Sequence, residues 1–187
     1  PGPGVGGHCI PYYPYFLING LDSWNRLLST AREVNDEMPA FTVRKLAEEL
    51  ATAGKNVADA TVLVLGLTYR SGVEETRASP AIPITERLEE LGAEVVTVDP
   101  MLDDADGFAR RQIPIDAIHE QDADAAVLVT AHEEFEAIDW AAFERSLVVV
   151  DGQQVLDLSE TPHRQYTIGV GRGAENSGEY EDQRADG

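Results

Sequence analysis

Cys9, the one cysteine of the sequence, sits in a run of glycines and prolines, Gly2-Pro3-Gly4-Val5-Gly6-Gly7-His8-Cys9-Ile10-Pro11. A thiolate forms acyl intermediates, and glycine amides around it can steady both the thiolate and a later oxyanion. Against this stands a bland reading: a single cysteine is most often a small buried hydrophobe. His8 reads as a positioning or packing residue rather than a base, because adjacent side chains of an extended segment point apart. The glycines formally satisfy G-x-G-x-x-G. The sequence offers no strand before them, however, and Pro11 follows where a helix would have to begin, so they do not read as a dinucleotide turn. They read instead as residues without Cβ that let a backbone approach a ligand closely.

A second group lies further along, where Arg70 and Arg77 flank Glu74 and Glu75. A guanidinium fork holds a diphosphate through paired hydrogen bonds, while the plain alternative is a solvated charge cluster. Asp99 precedes Pro100 and either reaches a ribose hydroxyl or forms an Asp-Pro turn. Asp103, Asp104 and Asp106 before Gly107 imitate a calcium loop, but Leu102 and Ile113 occupy the first and closing ligand positions. His119, His132 and His163 share no ligand spacing, so no metal is assigned.

These residues must be held by elements of two kinds. Residues 1–20 read as turns around one short extended piece. Asp22 or Ser23 would cap a helix with Trp24, Leu27, Leu28, Ala31 and Val34 on one face, stopping near Asn35. Pro39 would open a second helix, with Phe41, Val43, Leu46, Ala47 and Leu50 inward, ending at Gly54. Both apolar faces need a partner surface. From Ala60 strands alternate with helices, which predicts an α/β fold with a parallel sheet. Strands are expected at 61–65, 95–98, 125–129 and 147–150, with an edge strand at 166–170. Helices are expected from Pro80 to Leu91 and around Trp140 to Arg145, and 171–187 should be a disordered tail.

Composition narrows the function classes. A formal charge of −20 repels phosphate backbones and argues against nucleic acid as a partner. Only Lys45 and Lys55 are lysines, and this carboxylate-rich, lysine-poor balance resembles that of halophilic archaeal proteins. No apolar run approaches the ~20 residues that span a bilayer, and no basic-then-apolar leader opens the sequence, so a cytoplasmic protein without membrane attachment is expected. One cysteine excludes an intrachain disulfide.

The segment GPGVGGHCIPYYPYFL resembles the catalytic-cysteine segment of the UDP-glucose/GDP-mannose dehydrogenase family, in the branch acting on UDP-N-acetylhexosamines (ManNAc or GlcNAc). AREVNDEMP is similar to that family's central helices. VLVLGLTYRSGVEETRASPA, GAEVVTVDP, DAAVLVTAHEEF and VVVDGQQVLD are similar to its C-terminal, Rossmann-like UDP-binding domain. The resemblance implies a cysteine segment at 1–20, a helical stem and dimerisation element at 21–54, a nucleotide-sugar domain at 55–172 and an acidic tail at 173–187. It implies oxidation of a sugar C6 alcohol to a carboxylate with NAD, Cys9 being the nucleophile, Gly6 and Arg70 contacting substrate and Arg77 contacting the cofactor. The homodimer or higher oligomer it implies forms through 21–54.

Three departures matter. Tyr13 stands where the family usually has an aspartate that supports the water step. Tyr12 and His8 replace the lysine and serine of the glucose-specific branch, favouring an amino sugar. Gln153 and Gln154 replace arginines that in some members reach a neighbouring subunit's substrate. The family's dinucleotide-binding half has no counterpart in this sequence, so the expectation is a piece of a longer protein, inactive alone. A stand-alone UDP-sugar-binding module without catalysis is the alternative.

Overall fold

The computed structural model describes residues 2–20, 25–102 and 111–169. The expected caps Asp22 and Ser23, Trp24, the acidic loop of Asp103, Asp104 and Asp106, and the tail from Val170 lie outside them.

Six strands make one sheet: β1 (Thr61–Leu65), β2 (Glu94–Val98), β3 (Arg111–Gln112), β4 (Ala125–Leu128), β5 (Val148–Asp151) and β6 (Arg164–Thr167). All pairings are parallel, in the order β3-β2-β1-β4-β5-β6. This is the doubly wound order, whose switch point between β1 and β4 opens a crevice at the carboxyl ends of the strands. Alternation along β1 sends Val62 and Val64 into one apolar cluster and Leu63 and Leu65 into the other.

The two faces are covered differently. On one, α2 (Arg26–Thr52) and α3 (Ala81–Glu90) pack Val43, Leu46, Leu50, Ile84 and Leu88 over the sheet. On the other, the expected helix at 140–145 is replaced by short pieces: the single turn α4 (Glu133–Glu136) and 3-10 turns at Ile115–Glu120 and Trp140–Ala142. Phe135, Trp140 and Phe143 seal that face, and large rings cover the strands without a long helix.

Three further expectations change. Residues 13–20 form a helix, α1 (Tyr13–Gly20), with Pro14 in its first turn, where a missing N–H costs nothing. The two helices expected on either side of Pro39 are one helix, α2. An interior proline costs about 3 kcal/mol, so splitting the helix is the cheaper local reading. Tertiary packing overrides it, because Pro39 is buried and Gly4 lies against its ring and the Asn35 carbonyl. Finally, the second half of α2 finds its cover on the chain's own sheet. Leu27 and Val34 of the first half stay exposed, as do Phe16 and Leu17 of α1.

Candidate functional site

Three strand ends converge on one buried polar network. Asp99, one residue beyond β2, accepts through Oδ2 from the Leu67 and Thr68 amides (2.6 and 2.7 Å) and the Thr68 hydroxyl (3.0 Å). Its Oδ1 accepts from the Met101 amide at 2.8 Å. The single Thr68 hydroxyl proton goes to Asp99, so the His132 Nε2 2.8 Å away must donate to Thr68 Oγ1. The Thr130 hydroxyl donates to the Thr68 carbonyl at 2.6 Å. Burial alone would raise the Asp99 pKa, yet His132 3.4 Å away and the hydrogen bonds from Thr68 and Met101 outweigh it and hold the carboxyl below its ordinary value. Asp99 is therefore the turn-forming residue of its two readings, with its carboxylate consumed inside the protein. The network pins the first residues of the loop that carries Arg70 and Arg77.

Asp151 repeats the device at the end of β5, accepting from the amides of Gln153, Gln154 and Leu156. The side chains of Gln153 and Gln154 donate to the carbonyls of Val129 and Ile168.

Across these strand ends runs the glycine-rich segment. A Cβ on Gly2 would stand 2.5 Å from the Gly152 carbonyl, and one on Gly6 2.7 Å from the Ala78 carbonyl and 2.8 Å from Tyr69. The missing Cβ atoms of Gly2 and Gly6 thus admit the chain's own backbone. The Gly7 amide is likewise occupied, donating to the Arg77 carbonyl at 2.9 Å. Ala78 takes a left-handed φ of 48°, a strained turn that presents the carbonyls on either side of it to the glycines.

Beyond Gly7 the chain turns, so His8 and Cys9 are not in an extended segment. The Cys9 thiol is exposed, not walled off in hydrocarbon. His8 stacks on Tyr13 (6.2 Å, 21°) and lies within 2.6 Å of Arg77 Nη1, a packing role. Arg77 also pairs with Glu75 at 2.8 Å; Arg77 is exposed and Glu75 half-buried, so the pair orients the guanidinium more than it stabilises the fold. Arg77 is thereby brought to the cysteine segment. Arg70, on the other limb of the loop, is exposed and makes no hydrogen bond or ion pair with another described residue. Tyr13 opens α1 and places no carboxylate near the thiol.

Sequence reasoning passed over Thr68 and Thr130 and weighed His132 only as a metal ligand. Their signal was positional: each follows directly on a buried apolar run, in VLVLGLT and AAVLVTAH, where parallel strands end at the crevice. Among the described residues, no three His, Cys, Asp or Glu side chains group as metal ligands, and no helix is long and apolar enough to cross a membrane.

Residues 63–158 match the family model of the UDP-glucose/GDP-mannose dehydrogenase family, UDP binding domain. A UDP-N-acetyl-D-mannosamine dehydrogenase of Pyrococcus horikoshii is 34% identical over 176 residues, covering 92% of this chain and 40% of that protein. The NDP-N-acetyl-D-galactosaminuronic acid dehydrogenase of Ralstonia nicotianae is 31% identical, covering 81% and 35%. Among solved structures, an NDP-N-acetyl-D-galactosaminuronic acid dehydrogenase from Methanosarcina mazei superposes with a TM-score of 0.79 at 28% identity, over 92% of this chain and 39% of that one. The chain spans about 40% of the length of the Pyrococcus relative.

Proposed function

The chain belongs to the UDP-glucose/GDP-mannose dehydrogenase family, and from that premise we propose that it is the C-terminal portion of an NAD-dependent nucleotide-sugar 6-dehydrogenase. Its substrate is a UDP-N-acetylhexosamine, oxidised to the uronic acid through a thioester on Cys9. The observation that carries the reading is an exposed thiol in a turn fastened, through Gly7 and His8, to the arginine-bearing loop at the carboxyl ends of a doubly wound sheet.

The chemistry of the chain's own residues follows from that placement. Arg70, uncommitted among the described residues, offers its fork to the diphosphate, and Gly6 lines the sugar's approach. Cys9 adds its sulfur to the C6 aldehyde, the thiol proton ending on the new hydroxyl of the thiohemiacetal, and the second oxidation removes the C6 hydride and that hydroxyl proton to leave a thioester. After the second oxidation the sulfur holds the acyl group, which water displaces to give the carboxylate and the free thiol. NAD, when bound, supplies the hydride acceptor. Toward it this chain would offer the Arg77 guanidinium, brought to the cysteine segment by His8. Exposed Phe16, Leu17, Leu27 and Val34 support a homodimer or higher oligomer through α1 and the first half of α2, and the acidic composition supports a salt-rich cytoplasm.

Thermal unfolding of the 187-residue chain tests the assignment. UDP-N-acetylglucosamine or UDP-N-acetylmannosamine at about 100 Kd adds about 2.7 kcal/mol, a rise of roughly 5–10 °C, while NAD adds little. Arg70→Ala weakens the nucleotide sugar by roughly 10- to 100-fold, the size of a charge-assisted hydrogen bond. A chain indifferent to both UDP sugars refutes the reading. A chain that binds them, joined to a dinucleotide-binding half and still unable to oxidise them, is the non-catalytic module instead.

A further inference from the structure

We propose that Arg32 and Asn35 of α2 are positioning residues for the Cys9 sulfur, gripping the backbone of the cysteine segment on both sides of it; the proposal rests on the reading of Cys9 as the group that meets the nucleotide sugar. The two side chains are three residues apart and share one face of the helix. Asn35 acts like a strand edge on Val5: its Oδ1 accepts from the Val5 amide at 2.8 Å and its Nδ2 donates to the Val5 carbonyl at 3.3 Å. Arg32 Nη1 donates to the Ile10 carbonyl at 2.9 Å, one residue beyond the thiol. Cys9 is thus held between two points on one rigid rod. The loop from Tyr69 to Pro80 supplies the third support through Gly7 and Gly6.

The cost of this arrangement is visible. Arg32 is 94% buried by its relative exposure of 6%, its Nη2 is spent on Asp36, and its buried Nε has no partner among the described residues. It borders a cavity of about 240 Å³ between α2 and Pro80. A buried guanidinium with an orphaned donor is a poor way to stabilise a helix, and an apolar side chain of similar volume would pack there at least as well. What an apolar residue cannot do is hold the Ile10 carbonyl. Pro39 belongs to the same device: lacking an N–H, it leaves the Asn35 carbonyl outside the helical ladder, facing Gly4.

Because Cys9 is the only cysteine, alkylation of the 187-residue chain by iodoacetamide reports on this sulfur alone. The rate is measured with and without UDP-N-acetylglucosamine at about 100 Kd, where roughly 1% of the chain is unliganded, and binding is measured separately by calorimetry. In the wild type the ligand slows alkylation at least about tenfold. Arg32→Met and Asn35→Leu bind the ligand within about threefold of wild type, and their thiol loses most of that protection, falling below about twofold. Arg32→Lys, which can still donate to the Ile10 carbonyl, restores part of it. Arg32→Met unfolds at or above the wild-type midpoint. Undiminished protection in both variants overturns the proposal. Should either fail to fold, Arg32→Gln, whose side-chain nitrogen ends two bonds short of Nη1, and Asn35→Asp, which keeps one of the two bonds to Val5, are read by the same criterion. A wild-type thiol unprotected while the nucleotide sugar binds overturns the reading of Cys9 itself, and is recognised because it needs no variant.

Discussion

In an enzyme that joins this chain to a dinucleotide-binding half, Cys9→Ala lowers uronic acid formation by on the order of 10⁴- to 10⁶-fold, the size of effect that follows loss of a covalent nucleophile. The fold is untouched, because the side chain is exposed, and the unfolding midpoint moves by less than about 1 °C. Binding of the UDP sugar is also retained, since on the proposed reading the diphosphate is given to Arg70 and not to Cys9. What disappears is the acyl intermediate. Quenching the wild-type reaction in acid and weighing the intact chain reveals the mass of a hexosaminuronyl group on Cys9, and the variant carries none. A variant that still makes two equivalents of NADH per sugar places the aldehyde's capture elsewhere. Cys9→Ser keeps an oxygen nucleophile at the same point but without a thiol's readiness to ionise, so it falls close to the alanine variant.

Asp99→Ala produces the largest loss of stability. The substitution leaves the Leu67, Thr68 and Met101 amides, together with the Thr68 hydroxyl, without their acceptor in a site where Asp99 itself is 4% exposed. Unsatisfied buried donors cost about 1–3 kcal/mol each, partly relieved by relaxation, so the expected loss is about 4 kcal/mol and the midpoint falls by roughly 10 °C. Because the same carboxylate pins the start of the arginine loop, affinity for the UDP sugar falls with it. A midpoint within about 2 °C of wild type would show that the network contributes no stability.

The Asp99 carboxyl also sets a pH dependence. Its folded pKa lies below the ordinary value of about 3.9, so its contribution to stability is fully present above that pH and is lost as pH falls through the depressed folded value. The stability difference between wild type and Asp99→Asn accordingly shrinks as pH falls below about pH 4. Asp124 adds in the same direction: burial opposes its charge, while Lys55 at 2.8 Å and the Thr61 amide outweigh burial and lower its pKa.

The strands were legible because each is a short apolar run bounded by turn residues, and β1, β2, β4 and β5 fall within a residue or two of their expected limits. The edges were less so. Two-residue β3 is too short to carry a period, and β6, RQYT, is polar because it has only one neighbour. Pro39 misled for a different reason, since its local cost is recovered only where Gly4 packs on it, 35 residues away in sequence.

What the sequence determined alone was the family, the order of the sheet's principal elements, and a cysteine embedded among glycines. Short-range patterns specify these: strand periodicity, turn chemistry and motif spacing all act within about ten residues. Tertiary structure alone decided what those glycines admit, which half of α2 is covered, and how Asp99, Thr68, Thr130 and His132 join. Such contacts link residues 30 to 70 positions apart, and no local pattern encodes the distance between two strand ends until the sheet has brought them together.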